Sequence, residues 1–189
     1  MRRLSGTKLY AVRQHLKKGG VIVYPAESCF GLGCKPQNAH ALRQILRLKK
    51  RAMNKGMIVV GGNIQQLQAL TTFRQPEQWL DLEKEWQKSS TTFLVPVNKN
   101  KVLPTLRGAG RSNIGVRLPQ HTGLQNLCRD LRTALVSTSA NKSHAKPCRT
   151  EQTAKRIFGK KVITISGKIG KHKKPSRIID WESRTVVRE

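Results

Sequence analysis

Three features of the sequence predict one α/β domain with mixed strand directions. Short apolar runs, such as Val21–Tyr24 and Met57–Val60, have the length of buried strands. Between them lie segments with apolar residues at helical spacing, entered through Ser, Thr or Asn. No linker and no internal repeat divides the 189 residues, a length that can bury a genuine core, so the expected domain is 1–189.

Leu9, Val12 and Leu16 fall on one helical face, with Ser5 or Thr7 as the N-cap and Gly19-Gly20 as the stop. Val21–Tyr24 is then a buried strand, followed by Pro25–Cys34, a loop with glycines two apart. Asn38 caps a second helix whose apolar face is Ala41, Leu42, Ile45 and Leu46, and Met57–Val60 is the next strand. Ile64–Leu70 and Glu77–Trp86 read as helical. Thr92–Val97 is a strand that Pro96 places at an edge or brings to an end, because proline has no N–H for the ladder. Residues 98–113 form a polar, glycine-rich loop before the strand Ile114–Leu118. Leu124, Leu127, Cys128 and Leu131 mark a helix leading into the strand Ala134–Val136. A helix from Thr150-Glu151 to Phe158 and a strand Val162–Ile165 follow. A basic glycine loop from Gly167 to Lys174 then precedes a hairpin of Pro175–Asp180 with Thr185–Val187.

Charge narrows the partners. Thirty-seven Lys and Arg stand against ten Asp and Glu, a formal net charge of +27. No acid occurs from Ser28 to Pro76, from Trp86 to Arg129, or from Lys155 to Arg177. Self-repulsion on this scale opposes compactness and points to a polyanionic partner, with nucleic acid held through its phosphates as the best fit. A merely basic, soluble surface is the plain alternative. No apolar run approaches the ~20 residues of a membrane span, and the basic runs carry too many glycines and prolines for a membrane-surface helix. The N-terminus carries no segment resembling a signal peptide, so the expected location is cytoplasmic. Cys29, Cys34, Cys128 and Cys148 form no CxxC pair, which predicts free thiols rather than a zinc site or a disulfide framework.

Four stretches carry candidate chemistry. The strand Ala134–Val136 opens into Ser137-Thr138-Ser139-Ala140-Asn141, a run that fits either a capped turn or a ligand crevice at a strand's carboxyl end. Glu27 is the only acid before Glu77. It can orient neighbouring hydroxyls and amides, hold a cation at one remove, or pair with a lysine. Leu48–Gly56 packs Lys49, Lys50, Arg51 and Lys55 between a helix and a strand, as a solvated run or a phosphate cradle. Arg117 sits in an apolar strand, where a buried guanidinium needs an anion. A distant carboxylate and a ligand carboxylate or phosphate are both candidates. Neither the P-loop nor the dinucleotide fingerprint is present.

Taken in register, Tyr24–Gly33, Leu48–Gly56, Val136–Asn141, Gly115–Pro119 and Pro175–Asp180 resemble the YrdC/TsaC family, the threonylcarbamoyl-AMP synthases of tRNA modification, over nearly the whole chain. The resemblance implies a twisted mixed β-sheet with flanking helices around a concave, basic cavity. It implies synthesis of L-threonylcarbamoyl-AMP from L-threonine, bicarbonate and ATP with release of pyrophosphate. Partner proteins of a threonylcarbamoyl-transfer complex then modify the adenosine beside the tRNA anticodon. Carried over by position, Lys49 and Arg51 serve catalysis, and with Lys55 they cradle the ATP phosphates. Ser137, Asn141, Cys148 and Ser176 line the nucleotide. Ser28, Arg117 and Ser139 hold threonine, with Arg117 on its carboxylate. Mg2+ arrives with ATP, and no protein metal site is expected.

The chain departs from the family pattern in places. Pro-Thr-Glu-Thr becomes Pro25-Ala26-Glu27-Ser28, Trp-Pro-Gly-Pro becomes Trp86-Gln87-Lys88-Ser89, and Ser-Gly becomes Ser143-His144. A different function class is a non-catalytic protein that binds tRNA, other double-stranded RNA or ribosomal precursor RNA through its basic surface. Aromatics are only 5%, which favours recognition of structured RNA over base stacking on single strands.

Overall fold

The computed structural model describes residues 3–73, 75–159 and 161–189. Expectations touching Met1, Arg2, Arg74 and Lys160, namely the N-terminus and parts of the acid-free runs, lie outside these residues. Helix α1 (Gly6–Lys17) is capped by Ser5, whose side chain accepts from Lys8 N. The hairpin β1 (Ile22–Pro25) and β2 (Phe30–Gly33) follows, then α2 (Ala39–Lys49), β3 (Ile58–Val60), the single turn α3 (Gln65–Gln68) and α4 (Pro76–Lys88). After β4 (Thr91–Pro96), α5 (Pro104–Arg107) and β5 (Asn113–Arg117) come α6 (Thr122–Leu131) and β6 (Leu135–Ser139). The chain closes with α7 (Glu151–Phe158), β7 (Ile163–Thr164), β8 (Arg177–Asp180) and β9 (Val186–Arg188).

Among the described residues these strands form one twisted mixed sheet in the order β7-β1-β2-β6-β3-β5-β4-β8-β9. Pairs β1–β7, β3–β5 and β4–β8 are parallel, and the rest are antiparallel. Both faces are buried along its middle, which is why the strands read as continuous apolar runs rather than alternating ones. In β1, Val23 joins the core beneath α2 and α4, while Ile22 and Tyr24 join the core beneath α1 and α6. The predicted face of α2 (Ala41, Leu42, Ile45, Leu46) is buried, each large aliphatic contributing about 1.5–3 kcal/mol.

Several expectations need correction. Phe30–Gly33 is a strand, not part of a loop. Its glycines hide the pattern because they make room for neighbours: a Cβ on Gly33 falls 2.4 Å from Val136 O and 2.7 Å from the Tyr24 ring. Pro96 ends β4, but β4 lies inside the sheet between β5 and β8. The polar stretch 98–113 contains the turn of helix α5. Strand β6 runs on through the hydroxyls to Ser139, so Ser137-Thr138-Ser139 is ladder rather than turn.

Candidate functional site

Strand alternation builds the site. Leu135, Ser137 and Ser139 share one face of β6, because side chains repeat every second residue. Leu135 packs in the core beneath α1 and α6; Ser137 and Ser139 lie beyond those helices and line a concave cavity of about 460 Å³. The same face supplies Ile58 from β3, Arg117 from β5 and Ile178 from β8. Along β6 this face is therefore apolar where helices cover it and polar beyond them.

Of the residues singled out in the sequence, Ser28, Arg51, Lys55, Arg117, Ser137, Ser139 and Ser176 line this cavity. Lys49, Asn141 and Cys148 stand behind the wall. Lys49 is 3% exposed, and its ammonium donates to Ser139 O, to Asn141 O at 3.0 Å and to Asn141 Oδ1 at 3.0 Å. Burial first, then the Arg51 charge, brings it down to about 8. The Asn141 side chain is spent within its own loop, accepting from Ser139 Oγ at 2.6 Å and donating to Ala145 O at 2.7 Å. Cys148 is buried, with its carbonyl taking Phe30 N at 2.8 Å and its amide reaching Ala140 O at 2.9 Å. Lys49 and Cys148 are buried there, and the half-buried Asn141 ties the loop together.

Glu27 and Arg117 resolve two open questions together. Arg117 Nη2 donates to Glu27 Oε2 at 3.1 Å with both side chains buried, so Glu27 pairs with an arginine rather than a lysine. Gln120 N completes the carboxylate at 3.2 Å. Arg117 Nη1 reaches Ser90 Oγ at 3.0 Å, while its buried Nε has no partner among the described residues. A distant carboxylate thus neutralises this guanidinium and takes one of its five N–H donors, Ser90 takes a second, and Nε is left over. The altered Trp86–Ser89 segment is held by Trp86 Nε1 to Thr91 O at 3.0 Å and by the Ser89–Thr91 hydroxyl pair at 2.7 Å.

Sequence reasoning missed Arg111, Lys174 and Arg188, which also line the cavity. Arg188 donates to Ser176 O at 2.7 Å, and Ser176 Oγ meets Thr92 Oγ1 at 2.8 Å. The cations crowd one another. Burial and then Arg111 hold the Arg51 guanidinium below its usual range; burial, then Arg117 and Arg51, do the same for Arg188. Glu27 is the cavity's one acid and is already spoken for. The hairpin of β8 with β9 was the only signal for Arg188. For Arg111 there was only a cation in a glycine-rich loop.

Among the described residues no three His, Cys, Asp or Glu side chains gather to hold a metal ion. No helix of the described residues is long and apolar enough to cross a membrane. The described cysteines are free thiols.

Known proteins agree with this architecture. The threonylcarbamoyl-AMP synthase of Neisseria meningitidis serogroup A is 48% identical over 176 residues, covering 92% of this chain and 91% of its own. That of Chromobacterium violaceum is 42% identical over 187 residues, covering 98% and 95%. In fold, the chain matches the structure of P. abyssi Sua5 complexed with L-threonine at a TM-score of 0.83 and 23% identity, over 96% of this chain and 54% of that one. E. coli YciO superposes at 0.80 with 24% identity, over 99% and 91%. The family model described as telomere recombination, Sua5/YciO/YrdC, matches residues 14–189, and the chain belongs to that family.

Proposed function

We propose that the cavity makes L-threonylcarbamoyl-AMP from L-threonine, bicarbonate and ATP, releasing pyrophosphate, for modification of tRNA beside the anticodon. The observation that carries this reading is a concave site whose cations crowd one another while its single acid is neutralised internally. Such a site is built for a polyanion. The curated relatives that share over 40% of the sequence are threonylcarbamoyl-AMP synthases, which supports an ATP-using transferase.

In this reading Arg51 and Lys55 take the phosphates and offset charge on the departing pyrophosphate. Lys49 acts one step behind them by holding the Ser139–Asn141 loop in place. Ser28, Ser139 and the Arg117 guanidinium receive threonine, the last at its carboxylate. Ser137 and Ser176 face the nucleotide, and Asn141 and Cys148 support that wall from behind. The carbamate of threonine attacks the α-phosphorus, with positioning and electrostatics supplying the catalysis. Glu27 is engaged, so Mg2+ comes to the site on the nucleotide's own phosphates and water. Purified protein should release pyrophosphate from Mg-ATP and bicarbonate only when threonine is added. Threonine-independent release, or none, overturns the assignment.

A second reading, direct binding of tRNA or double-stranded RNA in the cytoplasm, rests on the uncompensated surface charge. It is compatible with the first, and it suits delivery of the product to transfer-complex proteins. Binding of tRNA should fall steeply with salt. Salt-insensitive or undetectable binding removes it.

A further inference from the structure

The segment between α5 and β5 is built, rather than slack, and it brings a second arginine to the phosphate end of the cavity. Gly108 and Gly110 adopt φ of 88° and 76°, a conformation glycine takes without strain, so the chain turns sharply before Arg111. Gly108 packs directly on the segment that carries Lys55: a Cβ there falls 2.8 Å from Asn54 O and 2.9 Å from Gly56 N. It also falls 3.3 Å from Arg111 Cδ, so the Arg111 side chain folds across this turn. Met57 N to Leu106 O at 2.9 Å and Arg111 N to Gly108 O at 3.2 Å fix the two strands of backbone. Arg107 donates from Nη1 to Arg111 O, holding the residue from below, and its buried Nε has no partner among the described residues.

Arg111 lines both the main cavity and an adjoining lobe of about 280 Å³. The lobe opens between Gly56, Arg107, Arg111 and Asn113, with Ile58 and Ile178 as apolar walls. It contains no acid. Arg111 is also the charged neighbour that disfavours the protonated form of Arg51. Two guanidiniums held together with no carboxylate between them are an unfavourable pair that a polyphosphate relieves.

We propose that Arg111 is a further phosphate-binding residue of this site, bracketing the β- and γ-phosphates with Arg51, and that the adjoining lobe receives pyrophosphate as it leaves. The proposal rests on the ATP reading above. It assigns Arg111 a role in substrate binding and product release, with Arg107 as its positioning residue.

The test uses the full chain and magnesium pyrophosphate as the probe, with affinity read by calorimetry and with separate KM values for ATP and threonine. Arg111→Ala should weaken pyrophosphate binding by ~10-fold or more and raise KM for ATP similarly, with KM for threonine unchanged. Arg111→Lys should recover part of the loss, because charge returns without the fork. Lys101→Ala removes one exposed cation from the loop before α5, outside both cavities, and should change neither quantity. Pyrophosphate affinity in Arg111→Ala equal to wild type, or equal losses in Arg111→Ala and Lys101→Ala, overturns the proposal and leaves the ATP reading intact. A wild-type chain that binds neither ATP nor pyrophosphate overturns both.

Discussion

Glu27 and Arg117, ninety residues apart in sequence, meet in a buried ion pair at 3.1 Å that ties the end of β1 to the end of β5. Removing one partner leaves the other charged and dry, which typically costs about 3–5 kcal/mol. Arg117→Ala should therefore lower stability by that order and also abolish threonine-dependent pyrophosphate release. Glu27→Gln should destabilise comparably while keeping Arg117 in the cavity. Denaturant midpoints and turnover, measured on both variants, check this. Wild-type stability in either variant would remove the pair from the framework of the site.

Gly33→Ala probes the contact that disguised β2. The added methyl has nowhere to go, with a backbone carbonyl of β6 at 2.4 Å and the fixed Tyr24 ring at 2.7 Å. The Tyr24 hydroxyl is itself held by Val136 O at 3.1 Å, so the ring cannot swing aside cheaply. Overpacking of this kind costs about 1–3 kcal/mol. Urea denaturation should show a lower midpoint. Gly110→Ala is a useful contrast, since a Cβ there meets nothing within 4 Å and only the positive φ opposes it.

The thiols should separate by burial. Desolvation pushes Cys34 and Cys128 up to about 12 and raises Cys29 as well, so alkylation of the native protein near pH 8 should be slow throughout. Cys29 is half-buried and lines the cavity, so it should react first. Mg-ATP with threonine should slow that reaction. Peptide mapping that finds Cys34 or Cys128 modified before Cys29 contradicts the placement of these side chains.

What was legible in the sequence was what is local. Ser5 and Asn38 cap their helices from three residues away, and the apolar spacing of α2 and α6 needs no distant partner. Ser28, Arg51 and Ser139 converge on the cavity as the motifs implied. Strand β2 was hidden because two of its four residues are glycines whose purpose lies in Tyr24 and β6. Arg117 looked like a group in search of a ligand because its partner, Glu27, is brought up only by the fold. Lys49 looked like a phosphate contact because spacing shows that it borders the site, not that three oxygens of the next loop already claim its ammonium. Arg188 comes to the cavity only because β8 and β9 pair.

Lys49 gives the most discriminating prediction, because its two consequences have opposite signs in pH. Burial and the Arg51 charge bring it down to about 8, against roughly 10.4 in an unfolded chain. Between those values the unfolded state binds the extra proton, so this group's contribution to stability rises as pH climbs from about 8 towards roughly 10.4. Below pH 8 both states are protonated and the contribution is at its lowest. The loop responds the other way. A neutral amine donates two hydrogen bonds where the ammonium donates three, so one of Ser139 O, Asn141 O and Asn141 Oδ1 loses its donor. Turnover should fall through an apparent pKa near 8 while the Tm difference between wild type and Lys49→Met shifts in favour of wild type. Lys49→Met should be slower by ~100-fold at neutral pH, through misplacement of Ser139, and should lack the inflection near 8. Identical pH profiles for the two proteins, in both turnover and Tm, would show that the titrating group is not Lys49.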